Sequence, residues 1–219
     1  PSCQQRAFDQ DGPGTAEGIQ KRPAPVVTRA QQHRRRQRLS KRSLPGGQAI
    51  LLTVGTDVSC GKMYTSLAIE KELRRRGIKA DFRATGQTGI LIAGSGVSVD
   101  AVVADFISGA TEWLAPANDS DHWDAIEGPG SLFNPSYAGV TLGLIHGSQP
   151  DLLVLCHDPS RPHMRGLPDY PLPKLEDTMA ACLAAARLTN GAATFCGVSI
   201  NTSRMPAEQA ESYLREVEG

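Results

Sequence analysis

Hydrophobic and polar positions alternate in blocks along residues 47–219, and the blocks switch period from strand-like to helix-like. An apolar run around Ile50–Val54 reads as a first strand, and Met63–Arg76 as a helix. Leu67, Ala68, Ile69 and Leu73 give that helix its apolar face, Glu72 and Arg74–Arg76 its polar one, and Gly77 its stop. Lys79–Arg83 reads as a short second strand, Asp100–Ile107 as a helix, Trp123–Ile126 as a strand, Ala138–His146 as a helix, and Leu152–Leu155 as a wholly apolar strand. A final helix, strand and helix are expected at Leu175–Leu188, Ala193–Ile200 and Ala207–Val217. Strands that are apolar on both faces and alternate with helices predict an α/β fold, a parallel sheet covered by helices on both sides. Ligands in such folds collect at the carboxyl ends of the strands.

The polar clusters of the chain fall at those ends. Strand one runs into Gly55-Thr-Asp-Val-Ser-Cys-Gly61-Lys62, a phosphate-binding loop in its expected strand, loop and helix context. Gly55, Thr56, Asp57, Val58, Ser59, Cys60 and Gly61 would turn backbone N–H groups inward, the following helix would aim its positive end at the same point, and Lys62 would add a cation. The usual pattern places Ser or Thr after the lysine to bind magnesium; here Met63 stands there. A thioether is a poor magnesium ligand, and Thr65 and Ser66 lie further round the helix. The pattern therefore favours holding a phosphorylated cofactor over cleaving it.

Strand two leads to Arg83, Thr85, Gln87 and Thr88, polar groups able to reach phosphate or substrate, although a capped strand end explains Thr85 and Thr88 as well. The Trp123 strand leads to Glu127 and a glycine-rich turn. The Leu152 strand leads to His157, Asp158 and a proline-stiffened loop carrying Arg161, His163 and Arg165. His157 titrates nearest neutrality and is the first candidate general base, with Asp158 and Glu127 behind it; each also has a purely structural reading. Arg161 and Arg165, around His163, are candidates for binding carboxylates. Asn201, after the last strand, is a candidate for reading a purine, or simply bonds a turn. Cys60 at a helix start is placed for a lowered thiol pKa, though a small loop filler accounts for it equally. His122 and Trp123 are read as packing residues.

Composition adds a division of charge. Residues 1–46 hold ten Lys and Arg against three Asp and Glu, whereas the whole chain of 219 residues has a net charge of zero. This segment, with the run His33-Arg34-Arg35-Arg36-Gln37-Arg38, lacks apolar periodicity and is expected to be a disordered basic linker or a remnant. A phosphate-contacting role on nucleic acid is the less favoured reading. Residues 47–219 would then be the P-loop domain, and a start at Pro1 and a stop at Gly219 after a helix suggest a chain cut at its C-terminal end. Five cysteines, Cys3, Cys60, Cys156, Cys182 and Cys196, show no metal-binding spacing. They fit a reducing cytoplasm, and no apolar run is long enough to span a bilayer.

Two resemblances follow from these residues. Gly55-Thr56-Asp57 before Gly61-Lys62, then Trp123-Asp124-x-x-Glu127-Gly128-x-Gly130, and Gly197-Val198-Ser199-Ile200-Asn201 resemble dethiobiotin synthetase-like P-loop proteins. More closely, Val54–Thr65, Asp81–Ile92 and His157–Tyr170 resemble a family long labelled a domain of unknown function and now represented by D-glutamate N-acetyltransferase; that family also has Met at the position of Met63. The resemblance implies a P-loop NTPase-like three-layer sandwich that binds acetyl-CoA and passes its acetyl group to the amine of D-glutamate. It further implies a preceding Rossmann-like domain and a homo-oligomer working on a small-molecule substrate; from the residues themselves neither a membrane partner nor a bound metal is expected. An ATP- and magnesium-dependent ligase or kinase of the dethiobiotin synthetase kind is the alternative, and a non-catalytic nucleotide-binding protein a third.

Overall fold

The computed structural model describes residues 48–218. The expectations for residues 1–46, including the basic run at His33–Arg38 and Cys3, lie outside the described residues, as does Gly219.

Five strands form one parallel sheet. They are β1 (Ala49–Gly55), β2 (Lys79–Arg83), β3 (His122–Ile126), β4 (Leu152–His157) and β7 (Thr194–Ile200), ordered β2-β3-β1-β4-β7. A two-stranded antiparallel hairpin, β5 (His163–Met164) and β6 (Leu167–Pro171), stands apart from it. The helices are α1 (Lys62–Arg75), α2 (Gln87–Ala93), α3 (Ile107–Leu114), α4 (Ala138–Ser148), α5 (Leu175–Arg187) and α6 (Ala207–Glu218). The result is a P-loop NTPase-like α/β fold, with β1 at the centre of the sheet.

Alternation along β1 decides which helix meets which face. Ile50, Leu52 and Val54 join Leu144 and Ile145 of α4, Leu153 and Leu155 of β4, and Cys182 and Ala186 of α5 in one buried cluster. Thr53, pointing the other way, bonds Ser66 of α1 at 3.0 Å. Helix α1 therefore covers one face and α4 with α5 the other. The connections leaving the neighbouring strands β1 and β4 run to opposite faces, which opens a crevice at their carboxyl ends. Beside α1, a groove of about 630 Å³ is bounded by Tyr64, Ala68, Leu73, Ile78 and Ser199. No helix among the described residues is long and apolar enough to cross a membrane.

The elements depart from the sequence pattern in three places. The helix expected at Asp100–Ile107 is replaced by two single 3₁₀ turns, Val99–Ala101 and Ala104–Phe106, and the α-helix begins only at Ile107. The β-branched pair Val102 and Val103 takes extended backbone angles, while the amide of Val99 bonds Thr85 O. Helix α2 falls where the sequence pattern gives only a polar strand end; the amide of Gly86 just before it donates to Glu127, 41 residues away in the chain. The hairpin β5/β6 turns at Gly166, with φ 78, inside what reads as a proline-rich loop.

Candidate active site

The loop between β1 and α1 has the form of an anion cradle. Gly61 has φ 107 and Ser59 φ 53, and these two left-handed residues fold the chain so that successive amides face inward. None of the amides of Val58, Ser59, Cys60 and Gly61 donates to another described group. Gly55 lets the loop close on itself: a Cβ there would meet Cys60 Sγ at 2.6 Å and Lys62 Nζ at 3.0 Å. Lys62 is buried and donates to Asp57 O at 2.7 Å. Cys60 is buried too, its thiol donating to the same carbonyl at 3.2 Å. The hydroxyls one turn on face away from the cradle. Thr65 bonds Ser199 at 2.9 Å, and Ser66 donates to Ile126 O at 3.2 Å. Met63, between lysine and hydroxyls, offers no oxygen.

The outer side of the loop is fastened by the segment that leaves β4. Asp57, 1% exposed, accepts from Asn134 Nδ2 at 3.0 Å, from the amide of Arg165 at 2.7 Å and from Arg161 Nη1 at 3.4 Å. Arg161 also donates to Val58 O at 2.8 Å, Ser59 O at 2.5 Å and Asp158 Oδ2 at 3.0 Å. Its guanidinium is thus largely spent on joining two segments of the protein to each other. Arg165 sits at the hairpin tip, exposed, with Nη1 on Ser59 Oγ at 2.7 Å. It is the guanidinium of this loop left open to a carboxylate. His163 is half-buried and bonds Met164 O through Nδ1 at 3.0 Å.

His157, last residue of β4, lies in the crevice between β1 and β4. It is 7% exposed, its Nδ1 stands 2.9 Å from Thr56 Oγ1, and the ring of Tyr213 from α6 stacks on it with centroids 6.2 Å apart. Burial pushes its pKa down and Asp158 opposes that only in part, so the imidazole is neutral at neutral pH. Burial alone would raise the Asp158 carboxyl; bonds from Ser160 and the Arg161 guanidinium outweigh it and hold Asp158 below the usual range. The His157 shift carries a sign for stability. In the unfolded chain His157 takes up its proton at about pH 6.5, and in the folded protein only at lower pH. Its contribution is therefore complete above the unfolded value and is lost as pH falls through the folded one. Denaturant melts from pH 7.5 down to 5.5 should show stability declining, and the decline should be shallower in His157→Gln. An equal decline in the variant would refute the assignment.

The remaining candidates gather elsewhere. Glu127 turns its carboxylate to the start of α2, where Oε2 accepts from the amides of Thr85 at 3.1 Å and Gly86 at 3.3 Å. Thr85 is buried, donating through its hydroxyl to Glu127 O at 2.6 Å. Gln87 and Thr88 are exposed in the first turn of α2. Arg83 points back along the sheet, with Nε on Asp124 Oδ1 at 2.7 Å and Nη2 on Asp81 Oδ2 at 3.1 Å. His122, read from sequence as packing, joins this network: its Nε2 lies 3.4 Å from Asp124 Oδ1 and 3.5 Å from Asp81 Oδ2. Asp81, His122 and Asp124 present ligand atoms within 4.8 Å of one another, but the guanidinium of Arg83 already supplies the positive charge there. Asn201 donates its amide to His157 O at 2.8 Å and accepts from Ser203 N at 3.2 Å, so it closes a turn at the strand end.

Sequence reasoning missed Asn134 and Tyr213, and it places Ser131 in the polar cluster after β3 without a role. Ser131 Oγ donates to Thr56 O at 3.1 Å, and Asn134 reaches Asp57 across 77 residues of chain. Both lie in the glycine-rich turn after β3, so the turn itself was the available signal. Tyr213 belongs to a helix whose pattern is merely amphipathic, and nothing in it marks a site.

A family model described as a domain of unknown function, the P-loop domain of DUF1611, matches residues 42–219. A D-glutamate N-acetyltransferase from Tritonibacter scottomollicae is 58% identical over 168 residues, covering 77% of this chain and 50% of that protein. A protein of the same name from a Pseudoalteromonas species is 58% identical over 167 residues, covering 76% of this chain and 50% of the relative. The crystal structure of a DUF1611 family protein from Anabaena variabilis superposes with a TM-score of 0.75 at 36% identity, over 82% of this chain and 52% of that one. The chain thus spans about half the length of the relatives it matches.

Proposed function

The chain belongs to the DUF1611 family, matching its P-loop domain, and from that premise we propose that it is the cofactor-holding half of an acetyl-CoA-dependent N-acetyltransferase acting on an acidic amino acid such as D-glutamate. The observation that carries the reading is the cradle at Gly55–Lys62 followed by Met63: an anion site lacking the hydroxyl through which such loops hold magnesium. CoA brings a pyrophosphate and a ribose phosphate, which backbone amides and one lysine can bind without a metal. The names of the two relatives support the acetyl transfer and its substrate.

On this reading Lys62 and the amides of Val58 to Gly61 hold phosphate. The open guanidinium of Arg165 meets a substrate carboxylate, and a bidentate pair there would orient the amine. His157 and Asp158, at the carboxyl end of β4, would lie on this reading near the thioester. Amine acetylation needs the nitrogen free of its proton, a held carbonyl, and donors for the oxygen that becomes negative in the tetrahedral intermediate. A homo-oligomer and a reducing cytoplasmic setting belong to the same proposal.

The test is calorimetry on the whole chain with CoA and with ATP, each with magnesium and with EDTA. CoA should bind equally in both buffers, and Lys62→Ala should weaken it by about 1–3 kcal/mol, the range for a hydrogen bond from a charged group plus its cradle. Tight ATP binding that needs magnesium, with none for CoA, would instead favour a ligase or kinase of the dethiobiotin synthetase kind.

A further inference from the structure

The bond between Thr56 and His157 sets the direction in which the histidine can act. Thr56 is fully buried, and its main chain is held from both sides: the amide donates to Cys156 O at 3.1 Å, and the carbonyl accepts from Ser131 Oγ at 3.1 Å. Its hydroxyl has one proton and two lone pairs. Among the described residues the only partner of Oγ1 is His157 Nδ1, at 2.9 Å. If Nδ1 carried the proton and donated it, the hydroxyl proton would be left buried with no acceptor, which is the costlier of the two arrangements. The hydroxyl therefore donates and Nδ1 accepts. An imidazolium has no accepting nitrogen, so the same bond holds the ring neutral.

We infer that His157 carries its single proton on Nε2 and presents it to the reacting group as a hydrogen-bond donor, with Thr56 as the positioning residue that fixes this tautomer. Among the described residues no group bonds to Nε2. Tyr213 stacks on the face of the ring and leaves the Nε2 edge clear of that contact. The general-base role expected from the sequence needs a lone pair at the outward nitrogen, and this tautomer has an N–H there instead.

The chemical role rests on the acetyltransfer reading; the tautomer does not. In that reaction the neutral amine nitrogen attacks the thioester carbonyl carbon, a C–N bond forms, and the carbonyl electron pair moves to oxygen. Nε2–H donates to that oxygen without giving up its proton. When the carbonyl re-forms, the C–S bond breaks, CoA leaves as the thiolate, and the proton shed by nitrogen reaches the sulfur by way of water. A neutral imidazole suits this task because it remains a donor throughout.

Long-range proton–nitrogen correlation spectra of the ¹⁵N-labelled chain at neutral pH report each histidine nitrogen as protonated or bare, with His157 assigned through His157→Gln. The expected spectrum has a bare Nδ1 and a protonated Nε2. Thr56→Val should shift His157 toward the other tautomer, and Thr56→Ser should restore the parental pattern. A protonated Nδ1 in the parent overturns the inference without needing any variant to fold. An unchanged pattern in Thr56→Val overturns the role of Thr56. In the acetyltransfer assay Thr56→Val should lower kcat by about 10²-fold, the range for a lost oxyanion donor, with KM for CoA nearly constant and Ser restoring the rate. A chain with the expected tautomer that binds no CoA in the calorimetric test overturns the proposed reaction and leaves the tautomer standing.

Discussion

Gly128→Ala should cost the domain about 3 kcal/mol or more, close to the limit of what one methyl group can do. The turn after β3 crosses directly over β1 at this point. The amide of Gly128 donates to Thr53 Oγ1 at 3.0 Å, and an added Cβ would overlap the carbonyl oxygen of Thr53, with Lys62 Cδ 3.5 Å away. Thr53 is in the central strand, paired on both sides, and cannot retreat. The turn must lift instead, and it carries Glu127, Ser131 and Asn134 with it. Gly139→Ala is the matched control: a Cβ there meets nothing within 4 Å and lies in helix α4, so it should stabilise by roughly 1 kcal/mol. Urea melts of the two variants against the parent decide the matter. Equal small effects would mean that the turn does not sit on β1 as described.

Asp57→Ala is the second change expected to act strongly, by about 3–5 kcal/mol, the range for removing one partner of a buried ion pair. The carboxylate is the meeting point of three donors from two other segments, Asn134, Arg161 and the amide of Arg165. Alanine would leave all three facing an apolar methyl. Asp57→Asn keeps the shape and one acceptor, so it should lose clearly less. If alanine and asparagine proved equally mild, the loop would be held by Arg161 and the carbonyls of Val58 and Ser59 without the carboxylate.

How much of this was legible in the residues depended on range. Strands β1 to β4 and the phosphate loop declare themselves locally, β1 and β4 through their apolar runs and the loop through Gly55 and Gly61, and β2 appears at the bounds its pattern gives. The site is less local. Arg161 and Arg165 look alike in a proline-rich stretch, and only the fold makes one a fastener on Asp57 and Asp158 and leaves the other exposed. Arg83 and Glu127 sit at strand ends where ligands are expected, yet their charges are met by Asp124 and by the amides opening α2. Helix α2 was hidden for the same reason, since the carboxylate that meets the amides just before it, Glu127, lies in the turn after β3. No periodicity records which donor finds which acceptor forty or a hundred residues away.

The sharing of Asp57 between the loop and the hairpin has a thermodynamic consequence. Its main-chain carbonyl receives the Lys62 ammonium, while its side chain holds the amide of Arg165. An anion that draws Lys62 off that carbonyl acts on the residue that positions the guanidinium at the hairpin tip. If the proposed cofactor and acceptor occupy these two places, Asp57 is the residue through which they would be coupled, and linkage would make that coupling reciprocal: whatever factor the one added to the affinity for the other, the other would return.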